Sequence, residues 1–314
     1  IWGHNCFGVW RALRHAPVPY YVFTHGMLDP WFKYRYPLKH FKKWLVWPWA
    51  VYPVLRDAHA VLFTCPEERD LARDSFWLYD CNEVVVKYGT AGVPDLGRDY
   101  CAAFLGAHPA LQGKRCLIFL GRVHPKKGVD LLIRALAQLQ REGSWNPATM
   151  RVIMAGPDDG DYANQLKALA ARLGVEGSLY WTGMLLGEQK WGALQCAEAF
   201  VLPSHQENFG IAVVEALSAS VPVLISYSVN IWREIVADGA GLVDNDTAAG
   251  CTDLVRRWLQ LDEVARADMA QRARPCFELR YTSKRAAVSL LATVYSTNHA
   301  VASCALAPGG HPSA

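Results

Sequence analysis

No two cysteines of this chain stand at C-x-x-C spacing, although nine occur in 314 residues, at positions 6, 65, 81, 101, 116, 196, 251, 276 and 304. Their odd count and scatter argue against a zinc site and against a disulfide framework. They read as small core residues or inert thiols, in a reducing compartment. Long apolar runs are missing too. The longest, Trp44 to Leu55, has 12 residues and contains Pro48 and Pro53. A membrane-spanning helix needs roughly 20 apolar residues. Charge of one sign is not in excess: the net charge is +3 and the pI about 8.3, which argues against a nucleic-acid binder. No signal peptide is visible, and the first residue is Ile rather than Met, so the chain is expected to start inside a longer natural sequence. What is present, 52% hydrophobic and 19% charged residues, describes a soluble globular protein with a large core and length enough for two domains.

From about residue 114 onward, short apolar runs alternate with helical patterns. Cys116–Leu120, Arg151–Ala155, Leu179–Thr182, Ala199–Leu202 and Val221–Ile225 read as strands. Between them Val129–Leu139, Tyr162–Leu173 (closed by Gly174), Glu188–Ala197 and Ile211–Ala219 read as helices. Strands this apolar, separated by helices, predict a doubly wound parallel sheet covered on both faces, with its ligand at the carboxyl ends of the strands. In the first hundred residues Val18–Thr24, Ala60–Thr64 and Glu83–Lys87 look like buried strands. They suggest the later part of a second such domain, whose opening elements are missing. The stretch from Gly89 to Lys114, with Pro94, Gly97, Gly106, Pro109 and Gly113, reads as an interdomain linker. The residues after Tyr295 lack an amphipathic pattern and read as a mobile tail.

Two constellations carry chemistry. Gly121-Arg122-Val123-His124-Pro125-Lys126-Lys127-Gly128 follows a strand and opens a helix. A helix N-terminus presents free N–H groups to an anion, and a guanidinium fork with a point charge suits a diphosphate. Arg122 and Lys127 could equally be solvated surface cations. The second constellation is Pro203-Ser204-His205-Gln206-Glu207-Asn208-Phe209-Gly210-Ile211-Ala212-Val213-Val214-Glu215-Ala216. Glu207 lies in the loop after a strand and Glu215 on the following helix, among apolar neighbours where a bare carboxylate is costly without donors. Sugar hydroxyls would supply them.

These residues resemble the donor site of glycosyltransferase family 4. The resemblance runs over nearly all of residues 1–297 and is most specific in GRVHPKKGVDLLIRAL, YWTG and FVLPSHQENFGIAVVEAL. In the first domain it rests on Thr24-His25-Gly26-Met27-Leu28-Asp29-Pro30-Trp31, which is similar to a segment of polysaccharide-building members. The resemblance implies an α/β protein of GT-B fold: two Rossmann-like domains, the first incomplete over residues 1–100, the second over 101–281. A helix at 282–297 would cross back to the first, with a tail at 298–314. It implies a retaining hexosyltransferase that uses a UDP- or GDP-sugar as co-substrate, with no metal and no other cofactor. Arg122 and Lys127 would hold the leaving diphosphate. Glu207 would bind the donor sugar beside the backbone of Asn208, Phe209 and Gly210, and Glu215 would hold the ribose. Gly183 and Met184 would line the base pocket, Gly121 and Ile211 complete the donor site, and His25 would approach the sugar from the first domain. Two family features are absent: Lys87-Tyr88-Gly89 stands where an Asn usually precedes the Gly, and no glycine-rich loop opens the first domain.

Asp158-Asp159-Gly160-Asp161 reads as a helix start rather than a metal site. Trp31–Pro53 mixes Lys33, Arg35, Lys39, Lys42 and Lys43 with nine aromatic side chains. That composition suits either the headgroup layer of an anionic membrane or a helix pair with a solvated basic face. The expected acceptor is a saccharide or lipid-linked saccharide in polysaccharide assembly, at the cytoplasmic side of the cell membrane, with no nucleic-acid partner. The alternatives are a noncatalytic sugar-nucleotide-binding or scaffold protein and a GT-B phosphorylase or epimerase.

Overall fold

The computed structural model describes residues 1–305. Among the described residues, nine strands form two parallel sheets. β1 (Tyr21–Phe23), β2 (Ala60–Phe63) and β3 (Glu83–Val85) make a three-stranded sheet in the order β1-β2-β3. β4 (Arg115–Leu120), β5 (Met150–Ala155), β6 (Leu179–Gly183), β7 (Ala199–Leu202), β8 (Val223–Ser226) and β9 (Gly241–Asp244) make a six-stranded sheet in the order β6-β5-β4-β7-β8-β9. β5, β7 and β8 are buried or nearly so, and β4 is buried beyond Arg115, as a sheet with helices on both faces requires, while the edge strand β6 is mostly half-buried. The strand order reverses between β4 and β7, and a doubly wound sheet opens its ligand crevice at such a point.

Helices Val129–Arg141, Asp161–Arg172, Gly187–Gln195 and Ile211–Ser218 follow β4 to β7 in turn. Val129–Arg141 turns Leu132, Leu136 and Leu139 into the core, the face its 3.6-residue period marks. Beyond β9, the helices Ala248–Gln260 and Glu263–Arg280 close the domain. At the interdomain crossing, Thr90 N–H donates to Tyr281 O (2.9 Å) and Ser283 N–H to Thr90 O (3.0 Å). Helix Ser283–Ala305 then lies on the first sheet, where Leu290 packs against the cluster of Ala60, Leu62 and Val86.

Three expectations are corrected. The second half of the expected linker is structured: helix Tyr100–Ala107 buries Tyr100 and Phe104 beside helix Gly187–Gln195, whose Gln195 side chain accepts from Tyr100 N–H (2.8 Å). The glycines and proline around it only bound this helix. A disulfide joins Cys101 to Cys196 across the same helix pair, 95 residues apart. Packing of two distant helices brings the thiols together, which linear spacing cannot show. The inference of a reducing compartment loses its support with it. Finally, the backbone stays helical from Ser283 to Ala305, because no Gly or Pro interrupts the chain until Pro308. The rest of the expected tail, residues 306–314, lies outside the described residues.

Candidate active site

Both sequence constellations sit at the switch point of the six-stranded sheet. The first leaves the end of β4, the second the end of β7. Gly128 is the device that brings them together. Its φ of 65° lies in the left-handed region, and a Cβ there would collide with the Pro203 carbonyl oxygen. The loops are then fastened: Lys126 O accepts from His205 N–H (2.8 Å) and from the Ser204 hydroxyl (2.9 Å). Lys127 Nζ consequently forms an ion pair with Glu207, both groups mostly buried. Arg122 is exposed beside them, and among the described residues it pairs with no carboxylate. The three cations Arg122, Lys126 and Lys127 crowd one another: burial first, and then this crowding, pushes the His124 imidazole below its usual pKa.

Glu215, one turn into helix Ile211–Ser218, pairs with Lys190 at 2.7 Å. Lys190 comes from helix Gly187–Gln195, which follows β6. Gly183 ends β6 with φ of 68° and accepts from Gly156 N–H through its carbonyl (2.8 Å). Met184 beside it is 65% exposed. Gly210 caps the Ile211 helix in a left-handed conformation and leaves Ile211 exposed.

The loops of the first sheet reach the same place from the other side. Gln206 donates to Asp29 (2.8 Å), with both side chains buried. Desolvation raises the Asp29 pKa against the pull of the Trp31 amide, Gln206 and Lys126. Asn208 Nδ2 donates to Thr64 Oγ1 (3.1 Å). Phe209 packs its ring against the Tyr88 edge at 5.0 Å, and Lys126 lies over the Phe32 ring at 5.3 Å. His25 is exposed at the end of β1, stacked on Phe23 at 5.2 Å and edge-on to Tyr88 at 5.8 Å.

Lys127 thus meets Glu207, and the following Phe209 reaches His25 of the first domain through Tyr88, with Arg122 on the same loop as Lys127. Glu215 lies on the helix after β7, and Gly183 is the last residue of β6. Asp158 is engaged elsewhere, in an ion pair with Lys167 (2.7 Å). Sequence reasoning missed Lys190, Thr64, Glu68 and the Asp29–Gln206 contact. Glu68 stands three residues after the helix cap Cys65, an interval shared with capping boxes, and this spacing is a signal that could have pointed to it.

Two parallel α/β sheets meeting at the carboxyl ends of their strands define the GT-B fold. Solved structures agree: a sucrose-phosphate synthase from Thermosynechococcus elongatus superposes with a TM-score of 0.74 at 18% identity, over 94% of this chain and 72% of that one. Anabaena HepE in complex with UDP does so with a TM-score of 0.74 at 18% identity, over 93% and 76%. Residues 105–275 match the family model described as glycosyl transferases group 1, and residues 2–89 the glycosyl transferase 4-like domain. The chain belongs to the glycosyl transferases of group 1. Among its relatives, the D-inositol 3-phosphate glycosyltransferase of Kineococcus radiotolerans is 31% identical over 47% of this chain and 34% of its own length. The alpha-D-kanosaminyltransferase of Streptomyces kanamyceticus is 28% identical over 79% and 62%. The matched part of this chain thus spans less than two thirds of either relative.

Proposed function

We propose that the protein transfers a hexose, with retention of configuration, from a UDP- or GDP-sugar to a saccharide or lipid-linked saccharide. The observation that carries this reading is the Lys127–Glu207 pair at the strand switch point. A cation and a carboxylate paired in this way can separate onto a sugar diphosphate, the cation to phosphate and the carboxylate to hydroxyls.

In that reading the bond between the anomeric carbon and the phosphate oxygen breaks while charge builds on the diphosphate. Arg122, Lys127 and the N–H groups opening helix Val129–Arg141 are fixed around that charge and stabilise it without reorganising. The acceptor oxygen attacks from the leaving-group side and forms the new glycosidic bond. Its proton passes to the departing phosphate, so neither an enzyme nucleophile nor a metal is required. Glu207 orients the sugar, Glu215 the ribose, and His25 closes over the sugar from the first domain. Anabaena HepE has been solved in complex with UDP, with UDP and glucose, and with UDP-glucose, which supports a nucleotide sugar as donor here.

The basic aromatic segment extends the proposal to the acceptor. Tyr34, Leu38 and Trp49 are 77%, 81% and 77% exposed, on the short helices Trp31–Arg35 and Pro37–Val46 and the π turn Trp47–Val51. Lysines interleave with them, and helix Pro37–Val46 has no acidic residue. Such a face suits anionic headgroups and would hold the enzyme at the surface where a lipid-linked saccharide lies. Among the described residues no helix is long and apolar enough to cross a membrane.

A thermal-shift panel of nucleotide diphosphates and their sugars tests the reading. A ligand at about 100 times its dissociation constant adds roughly 2.7 kcal/mol of stability. At least one diphosphate should stabilise the protein; a flat response across the panel contradicts the proposal.

A further inference from the structure

The loop carrying His25 rests on a carboxylate outside the donor site. Glu68, in the first turn of helix Pro66–Arg73, is only 3% exposed. Its Oε1 accepts from Thr24 Oγ1 (2.7 Å) and from Gly26 N–H (2.6 Å). Its Oε2 accepts from Thr64 N–H (2.7 Å) and from Thr64 Oγ1 (2.7 Å). Among the described residues no cation pairs with it. A buried carboxylate is tolerated only when its oxygens are hydrogen-bonded, and here four neutral donors do this.

Two of those donors flank His25, which is itself exposed while Thr24 and Gly26 are buried. His25 has φ of 47° and Gly26 of 71°. The left-handed region is unusual for a residue with a side chain and persists only where the surroundings hold it. Glu68 grips the residue before and the residue after, and the imidazole is left projecting between Phe23 and Tyr88. The same carboxylate reaches the donor loop: Thr64 Oγ1, which donates to Glu68, accepts from Asn208 Nδ2. Gly26 lies so close to Asn208 that an added Cβ would meet the Asn208 Cβ at 2.8 Å.

We propose that Glu68 is the positioning residue of the sugar subsite. It fixes the backbone on both sides of His25 and, through Thr64, the side chain of Asn208, so that both domains present the sugar with one rigid frame. A Glu at this position of a helix start would otherwise act only as a cap, and a cap affects stability alone. The proposal rests on the donor reading above.

Calorimetric titration of the full chain with UDP, UDP-glucose, GDP and GDP-mannose separates the two. The quantity read is the affinity for the sugar nucleotide divided by that for its bare diphosphate. Glu68→Gln keeps the side chain's shape but turns an amide N–H₂ toward one pair of donors. It should lower the ratio roughly tenfold, about the effect of one lost hydrogen bond, and leave diphosphate affinity unchanged. His25→Ala should lower the ratio similarly, and the double variant should lose no more than either single one, since residues acting through each other are non-additive. Thr24→Val, which removes one of the four bonds, should act in the same direction and serves if Glu68→Gln does not fold. An unchanged ratio in Glu68→Gln or Thr24→Val, with His25→Ala impaired, or additive losses in the double variant, overturns the proposal while the donor reading stands. A wild-type protein that binds none of the four ligands overturns both.

Discussion

The two sheets face one cleft with different equipment. The six-stranded sheet supplies charge: Arg122, Lys126 and Lys127 from the loop after β4, Glu207 after β7, and the Lys190–Glu215 pair from the two flanking helices. These groups are mounted on buried strands and on loops fastened to one another. The three-stranded sheet supplies shape and neutral hydrogen bonding: His25 in a left-handed turn, Thr64, Tyr88 and the buried Glu68. Its outer surface carries the exposed aromatics and lysines of residues 31–49. A diphosphate needs fixed charge, and an acceptor needs access. On the proposed reading, the half that would bind the diphosphate is the charge-bearing half. The half that would meet the acceptor has its own apolar core around Trp47, Leu55 and Phe63 and offers the cleft hydrogen bonds and ring contacts rather than charge.

The largest way to break this division is at Gly128. A Cβ at that φ meets the Pro203 carbonyl, so Gly128→Ala should cost about 3 kcal/mol of stability through strain and a shifted loop. In whatever fraction stays folded, it should abolish nucleotide binding. Denaturant unfolding with and without nucleotide checks both effects.

Next in size is the acceptor side. Trp49→Asp together with Phe41→Asp should reduce co-sedimentation with anionic vesicles by roughly tenfold or more, since two apolar anchors are replaced by like-charged groups. Diphosphate affinity should not change. Equal sedimentation of wild type and variant would leave the basic aromatic face as a solvated surface.

A smaller effect is expected at Lys190. The Lys190→Ala variant leaves Glu215 without its 2.7 Å partner, and nucleotide affinity should fall by about 1 kcal/mol, roughly fivefold in Kd. Calorimetry would show it. An unchanged affinity would mean that Glu215 takes no part in the donor site.

The smallest effect is on pH dependence. His205 Nδ1 lies 2.8 Å from Asp246. That hydrogen bond raises the His205 pKa above its usual value and lowers that of Asp246. The His205 contribution is therefore complete below its unfolded pKa, about 6.5, and is lost as pH rises through the raised folded value. The Asp246 contribution is lost at the other end, as pH falls through its depressed value. Both groups are about a third exposed, so solvent screening keeps the effect below about 1 kcal/mol. Unfolding midpoints of wild type and His205→Asn should converge as pH rises from 6 to 9.

The same comparison explains what could be read from the sequence. Cys116–Leu120 and Ala199–Leu202 announce β4 and β7 because a strand buried on both faces is a continuous apolar run, and their loops held the residues that meet. The three strands of the first sheet fall inside the runs Val18–Thr24, Ala60–Thr64 and Glu83–Lys87, but two of them are only three residues long, so the apolar runs overstate their length. Its buried carboxylate, Glu68, looks in sequence like an ordinary helix-start residue. Helix Tyr100–Ala107 was hidden by the glycines and proline around it. β9 and helices Ala248–Gln260 and Glu263–Arg280 were not picked out, since the last has little amphipathic contrast and an internal Pro275. Pairings such as Lys190–Glu215, Asp29–Gln206 and Cys101–Cys196 join residues far apart in the chain, and only packing reveals them.

The central claim is that Lys127 and Glu207 part to receive the two halves of one donor. Its most direct test is calorimetric titration of Lys127→Ala and Glu207→Gln with a nucleotide diphosphate and its sugar. The account predicts that Lys127→Ala loses affinity for the bare diphosphate by roughly tenfold or more, the size of a charge-assisted bond. Glu207→Gln should keep diphosphate affinity and lose discrimination among sugars. Equal losses on both ligands in both variants, or no loss in Lys127→Ala, would contradict it.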